Sequence, residues 1–175
     1  MTTPQMQEMP TMAASMIPEL EMEAATTRRL FEVVPNDKLS WKPHEKSMSL
    51  GQLCWHIATI NGVISEISLT DSFDPTEHPP PPAPDSMAAI IAAHTSGTAR
   101  AKEILAGMNN EKAMGNFDFK LGGKTAMSMP KIALLRAIMM NHQYHHRGQL
   151  SVYLRELDVP LPSIYGPSAD TNPFA

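Results

Sequence analysis

Residues 141–150 read NHQYHHRGQL and place three histidines within five positions of an otherwise amphipathic helical pattern. Apolar residues such as Met139, Leu150 and Leu157 recur around this stretch at helical spacing. Pro130, which suits the first position of a helix, precedes it. The sequence therefore predicts one long helix from about Pro130 to Leu157, and it raises the question of why the apolar face of that helix carries imidazoles.

Helical geometry divides the three histidines into two kinds. At about 100° per residue, His146 lies about 40° from His142, on the arc that also carries Met139 and Leu150. His145 lies about 60° to the other side, on a flank of the helix. His142 and His146 are therefore expected to face the core. Because they are one turn apart, with a rise of about 6 Å between them, both rings could approach one metal ion.

Three further helices are predicted before this one. A cap at Ser47 or Ser49 begins the second, Asp85 caps the third, and Gly97 weakens the third in its interior. The predicted bounds, read from periodicity and prolines, are 18–34, 50–70 and 85–108.

The connections between these helices are long. Residues 75–84 contain six prolines, which exclude a helix and favour an extended linker of polyproline character. Residues 116–129 alternate apolar and polar side chains around Gly122 and Gly123, which predicts a short hairpin or only a loop. We therefore expect an all-α fold, a four-helix bundle with long connections, with a single domain over residues 16–175 after a flexible arm over residues 1–15.

Composition excludes several functional classes. The formal net charge is −4 and the 14 Lys and Arg residues are scattered, so no nucleic-acid partner is expected. No stretch approaches the roughly 20 apolar residues that span a bilayer, so no membrane partner is expected either. The N-terminal residues lack a signal-peptide pattern, and the single cysteine, Cys54, is expected to be a buried thiol. These features predict a cytoplasmic protein.

A third histidine points inward from the second predicted helix. Relative to His56, Ile60 lies at about 40° and Leu53 at about 60°, so the imidazole shares their apolar face. Each of the three inward histidines, taken alone, is explained by a hydrogen bond to a partner in the core. Three such residues need three separate polar partners, or one cation that satisfies all of them.

Three stretches resemble the DinB/YfiT-like superfamily of proposed metal-dependent enzymes. They are LSWKPHEKSMSLGQL at 39–53, LCWHIA at 53–58 and HQYHHRGQLSVYLRELDVPLPSIYG at 142–166, and the resemblance extends from about residue 16 to 167. It implies a four-helix bundle whose metal is held by one histidine of the second helix and an i, i+4 pair of the fourth. In this sequence those ligands are His56, His142 and His146.

Three imidazoles leave at least one coordination position open to water or substrate, which is typical of a catalytic site. The resemblance implies a hydrolase or a low-molecular-weight-thiol-dependent transferase acting on a small molecule, which in the transferase case includes a thiol. Zinc or nickel is the expected divalent ion, with iron or manganese as alternatives. The competing hypothesis is a non-catalytic, metal-stabilised bundle in which the tail at residues 164–167 closes over the site.

Three further residues on the second and fourth predicted helices are expected to have roles other than binding the metal. His145 is expected to contact a metal ligand or to lie at an interface, rather than to bind the metal itself. Glu66 is expected to be solvated and is a weak candidate for a general base. Gly148 is interpreted as a close contact between helices.

A homodimer is also predicted. A second apolar strip on the last helix widens the apolar stripe beyond what one neighbouring helix covers. The alternative is that this strip faces another helix of the same chain. The strip consists of Leu134, Ile138 and Val152.

Overall fold

The structure, a computed structural model, describes residues 9–79 and 81–174 and is mostly helical. Residues 1–8 of the predicted N-terminal arm lie outside the described residues. From residue 9 onward the chain is described, and Ala13, within the predicted arm, is fully buried. A short 3-10 helix at Ala14–Met16 leads directly into the first α-helix.

The predicted helices begin and end within a few residues of their expected positions, and a short helix at Asn110–Met114 was not predicted. No helix in the described part of the chain is long and apolar enough to cross a membrane. The α-helices are α1 (Ile17–Glu32), α2 (Leu50–Ile67), α3 (Met87–Gly107), α4 (Asn110–Met114), α5 (Lys131–Leu134) and α6 (His142–Glu156).

Serine side chains fix the starts of α2 and α3. Ser49 accepts from the backbone amide of Gln52, whose side chain in turn accepts from the Ser49 amide, and this capping box agrees with the prediction of Ser49 as a cap. The cap predicted for α3 at Asp85 is wrong. Ser86 caps this helix, because it has the extended backbone of a cap and its hydroxyl accepts from the Ala89 amide at 3.3 Å.

A small sheet makes the fold mostly helical rather than all-α. Strands β2 (Asn116–Leu121) and β3 (Lys124–Pro130) pair antiparallel, which confirms the predicted hairpin. Its turn residues Gly122 and Gly123 have φ of 58° and 77°, a conformation that favours glycine. Strand β1 (Ser72–Phe73) adds a parallel third strand beside β2. A strand of two residues is too short to show periodicity, so no pattern in the sequence predicts it.

The last helical run is not a regular α-helix throughout. A π-helical segment, Leu135–Asn141, joins α5 to α6 immediately before His142. Its i→i+5 hydrogen bonds make a wider turn, so rotation per residue is smaller there than the 100° assumed from the sequence. Leu134 and Leu135 are consequently both fully buried, as are Met139 and Met140.

The π segment also breaks the strip on which the homodimer prediction rests. Leu134 is buried within this chain, Ile138 is half-buried, and only Val152, 59% exposed, is open to solvent. The three residues therefore do not form one continuous exposed surface. The homodimer remains a prediction without this support.

Helix α2 is central to the packing. It contacts α3 along its length and also packs on the π segment and α6, while α1 contacts α3 and α6. Two glycines allow α2 and α3 to approach closely: a Cβ placed on Gly62 would lie 3.0 Å from Gly97 Cα. Gly97, expected only to weaken α3, is therefore needed for helix contact. The close contact predicted at Gly148 is wrong, because Gly148 is exposed and a Cβ there would meet nothing within 4 Å.

The core consists of two apolar clusters with polar residues at their boundary. One cluster contains Leu20, Ile60 and Met139, and the other contains Phe31 and Leu150. The prediction that Cys54 is a buried thiol is confirmed, and burial raises its pKa to about 12. Buried polar residues of the boundary come from all the long helices: Glu23, Thr27, Asn61, His94, Gln143, His146 and Arg147.

The glycine contact gives a testable prediction. Gly62→Ala should lower the free energy of unfolding by about 1–3 kcal/mol, because its methyl group meets backbone that cannot move without separating α2 from α3. Gly148→Ala is the matched control and should raise stability by up to about 1 kcal/mol, since alanine is the better helix former and the space is open. Urea unfolding measures both, and a Gly62→Ala protein as stable as wild type would contradict the contact.

A second prediction concerns His94. This residue is 3% exposed, its Nε2 has no hydrogen-bond partner, and its ring packs edge-on against Phe31. Burial, reinforced by the Arg28 charge, lowers its pKa to about 4. Between about pH 6.5 and 4 the unfolded chain therefore binds a proton that the folded chain excludes, so stability should fall as pH falls through this window.

The His94→Leu variant tests this pH effect. With chelator present, the stability of wild type should fall more steeply between pH 6.5 and 4 than that of the variant, by up to about 1.4 kcal/mol per pH unit. At pH 8, where imidazoles are neutral in both states, the difference between the two proteins should no longer change with pH. If the stability of the two proteins falls equally steeply with pH between 6.5 and 4, the folded state does not exclude a proton from His94.

Candidate metal centre

His56 is placed by the apolar face of α2. The capping box at Ser49 fixes the start of the helix, and Leu53, Ile57 and Ile60 bury the face that includes His56. The imidazole is half-buried and points toward the start of α6. His56 therefore extends from the core edge of α2 to the segment that carries the other histidines.

The structure brings the three predicted histidines together. His56 Nε2 lies 3.4 Å from His142 Nε2, and His142 Nε2 lies 2.5 Å from His146 Nε2. The potential ligand atoms of all three side chains lie within 4.8 Å of one another. In the described part of the chain, this is the only group of three or more His, Cys, Asp or Glu side chains spaced to hold a metal ion.

The environment keeps these rings neutral at physiological pH. Burial, followed by the neighbouring His146 and His142 rings, lowers the pKa of His56 to about 4. Burial is also the largest cause of the lowered pKa values of His142 and His146, and the nearby His145 ring acts in the same direction. Each ring can therefore offer a nitrogen lone pair, which is the form that binds metals.

The donor set fits a divalent ion. Two nitrogens bound to a tetrahedral zinc at about 2.0–2.1 Å lie about 3.3 Å apart, close to the 3.4 Å between His56 and His142. His142 and His146 are closer than this and would need to separate by about 0.8 Å to be two ligands of one ion. The i, i+4 spacing permits this separation through small side-chain rotations, because both rings are at the edge of the core.

One ring of the cluster is held by a neighbouring glutamine. His146 Nδ1 lies 2.7 Å from Gln149 Oε1, and Gln149 Nε2 lies 3.0 Å from His145 Nε2. His145 is exposed and is outside the cluster of three, as its helical angle predicted. It contacts the cluster both through Gln149 and directly, since its ring packs edge-on against that of His146 with the centroids 5.0 Å apart.

A buried ion pair beside the cluster was not predicted. The guanidinium of Arg147 and the carboxylate of Glu23 are 2.5 Å apart, with side chains only 1% and 5% exposed. Arg147 also donates to the Glu23 backbone carbonyl at 3.1 Å and to the Thr27 hydroxyl at 3.4 Å. Leaving one member of such a pair unpartnered costs about 3–5 kcal/mol. The pair therefore fixes α1 against α6 one residue from His146.

Two tyrosines complete the surroundings of Arg147. Its guanidinium lies over the rings of Tyr144 and Tyr165, 5.4 and 5.0 Å from their centroids. Tyr165 belongs to the C-terminal tail, accepts from Arg147 and donates to the Glu23 carboxylate. Tyr165, which lies in the tail that the non-catalytic hypothesis places over the site, is thus bound to α1 and Arg147.

The sequence marks both members of the ion pair but does not show that they pair. Arg147 lies in the HHRGQ motif, and Glu23 interrupts the apolar seam of α1 between Leu20 and Thr27. Periodicity alone does not show that two such residues, 124 positions apart, meet in the core. Glu66, the weak candidate for a general base, is exposed as expected and pairs with Arg100 at 2.6 Å.

Comparisons with known proteins identify the family of the chain. The family model described as the DinB family matches residues 9–172. The uncharacterized protein YrdA of Bacillus subtilis strain 168 is 26% identical over 151 residues, which is 86% of each chain.

Crystal structures of DinB-like proteins have the same fold. The protein YjoA of Bacillus subtilis superposes with a TM-score of 0.67 at 24% identity, over 86% of this chain and 96% of that one. A DinB-like protein of Bacillus cereus ATCC 10987 gives a TM-score of 0.67 at 25% identity, over 85% and 94%. The resemblance inferred from the sequence motifs is confirmed, and the chain belongs to the DinB family.

Proposed function

We propose that this protein binds one divalent metal ion through Nε2 of His56, His142 and His146 and is a metal-dependent enzyme. The reaction class proposed is hydrolysis, or group transfer that depends on a low-molecular-weight thiol. The observation that carries the proposal is the convergence of three neutral imidazoles from α2 and α6 on one point.

The protein's own residues would bind and orient the ion. Three imidazole ligands leave at least one coordination position for a water molecule or a substrate atom. A divalent ion held there supplies Lewis-acid chemistry: it lowers the pKa of a bound water, polarises a substrate oxygen or binds a thiolate. Zinc or nickel suits a site of imidazole nitrogens, and iron or manganese are the alternatives.

A non-catalytic role is the second candidate. His56 belongs to α2 whereas His142 and His146 belong to α6, so one ion would cross-link two helices that are far apart in sequence. Such a link stabilises the folded state by mass action, because the unfolded chain does not hold the three ligands together. The two candidates differ in whether an exogenous ligand reaches the ion.

We also make proposals about the helix arrangement, the domain organisation, the location and the assembly of the protein. Helices α1, α2, α3 and the last helical run would form a four-helix bundle of the family type, since α1 and α2 each contact both α3 and α6. We also propose a single domain, a cytoplasmic location and a homodimer. Light scattering across micromolar concentrations would test the dimer.

Metal retention tests the ligand set. His56→Ala, His142→Ala and His146→Ala should each lose most of the metal found in untagged wild type, and paired replacements should add little further loss. His145→Ala is the matched control, adjacent to a proposed ligand, and should keep most of it. Elemental analysis after purification without chelator or nickel resin gives the result.

Two outcomes would contradict the proposed ligands. Full metal retention in His56→Ala would show that α2 contributes no ligand. Equal loss in His145→Ala and His146→Ala would show that the ligand face of α6 is assigned wrongly.

Thiol binding separates the enzyme from the metal-stabilised protein. A cobalt(II)-substituted sample titrated with cysteine should develop a sulfur-to-cobalt charge-transfer band, because an open position would accept the thiolate. The His56→Ala variant, which lacks one proposed ligand, provides the control for non-specific cobalt. An unchanged spectrum in a fully loaded wild-type protein would favour the closed, non-catalytic site over the thiol transferase.

A further inference from the structure

Gln149 connects a proposed ligand to an exposed histidine. Its Oε1 is 2.7 Å from His146 Nδ1, and its Nε2 is 3.0 Å from His145 Nε2. The three residues lie on one side of α6, with Gln149 three positions after His146 and four after His145. One amide group therefore contacts both adjacent imidazoles.

The chemistry of the amide determines where the hydrogens lie. An amide oxygen can only accept, so the nitrogen of His146 that faces it, Nδ1, must carry the hydrogen. Neutral His146 then has its lone pair on Nε2, the atom that faces His142. That is the tautomer that ligation through Nε2 requires.

His145 can accept from the amide in this orientation. Gln149 Nε2 can only donate, so it matches an unprotonated Nε2 on His145. Rotation of the amide by 180° would turn its NH₂ group toward His146 Nδ1. It would then favour the opposite tautomer of His146, with a hydrogen on the nitrogen that faces His142.

We infer that Gln149 is a positioning residue that sets the tautomer and ring orientation of His146, with His145 holding the Gln149 amide in place. The inference rests on the proposed function, because it concerns how one proposed ligand is prepared for an ion. Hydrogen-bond partners of ligating histidines commonly have this effect, and their loss weakens metal binding by about 10–100-fold. It also gives His145, the first histidine of the HHRGQ motif, a role without making it a ligand.

Substitutions at Gln149 distinguish the effect of its hydrogen-bond acceptor from the effect of its side-chain volume. Gln149→Met keeps the length of the side chain but removes both polar atoms, so zinc affinity should fall by about 10–100-fold. Gln149→Glu keeps an oxygen acceptor toward His146 Nδ1 and should bind zinc within a few-fold of wild type. His145→Ala leaves the acceptor but removes its anchor, so its effect should be smaller than that of Gln149→Met.

The measurement is zinc affinity by competition with a chromophoric chelator at neutral pH. Urea unfolding of the metal-free proteins controls for the fold, and all three variants should match wild type there because Gln149 and His145 are exposed. Gln149→Met with wild-type zinc affinity and an intact fold would overturn the inference.

A second readout does not depend on metal. The ¹⁵N chemical shifts of His146 in metal-free wild type should show a hydrogen on Nδ1, and Gln149→Met should lose that preference. A hydrogen on Nε2 in wild type would overturn the inference even if zinc binds. If wild type binds no zinc but shows the Nδ1 hydrogen, the proposed function fails while the role of Gln149 stands.

Discussion

The structure depends on three imidazole nitrogens that meet at the edge of the core. Burial lowers the pKa of His56, His142 and His146, and neighbouring imidazoles lower each pKa further, so three neutral rings lie close together. A cation that accepts three lone pairs satisfies all of them in one step. The site in turn requires that α2 and α6 keep a fixed register. A shift of one helix by one turn, about 5.4 Å, would move a ligand atom by as much as the whole spread of the ligand atoms.

Several features of the fold maintain that register. The capping box fixes the start of α2, and the Gly62–Gly97 approach fixes α2 against α3. On the other side, the buried pair of Arg147 and Glu23 holds α6 to α1 one residue away from His146. A buried pair is costly to desolvate and adds little net stability, but it strongly disfavours arrangements in which either charge is left alone. Its contribution is therefore best understood as specifying where α6 lies.

Helical periodicity predicted much of this arrangement. The apolar spacing located the long helices, the paired glycines located the hairpin, and the angles on two helices selected His56, His142 and His146 while leaving His145 outside. The helices and the closeness of the three histidines follow from the local rotation per residue, and the hairpin follows from its turn glycines, so local sequence was enough to predict these features. The π segment before His142 is where regular helical geometry fails. Its wider turn changes the angle between Leu134 and His142, so that Leu134 is buried although the regular angle places it on a flank.

Features that depend on contacts distant in sequence could not be predicted in the same way. Gly148 and Gly97 look alike in the sequence, yet only Gly97 meets another backbone. Nothing in the sequence shows that Glu23 and Arg147 pair, because their pairing depends on how α1 packs against α6. His94 likewise has no distinguishing signal in the sequence, because its buried surroundings come from α1 as well as from its own helix.

The most direct test of the central claim is an anomalous difference map from crystals of untagged protein, recorded on both sides of the absorption edge of its metal. The account predicts one peak about 2.0–2.2 Å from Nε2 of His56, His142 and His146. A metal found elsewhere on the chain, or three rings that each hydrogen-bond to a separate partner with no peak between them, would contradict it.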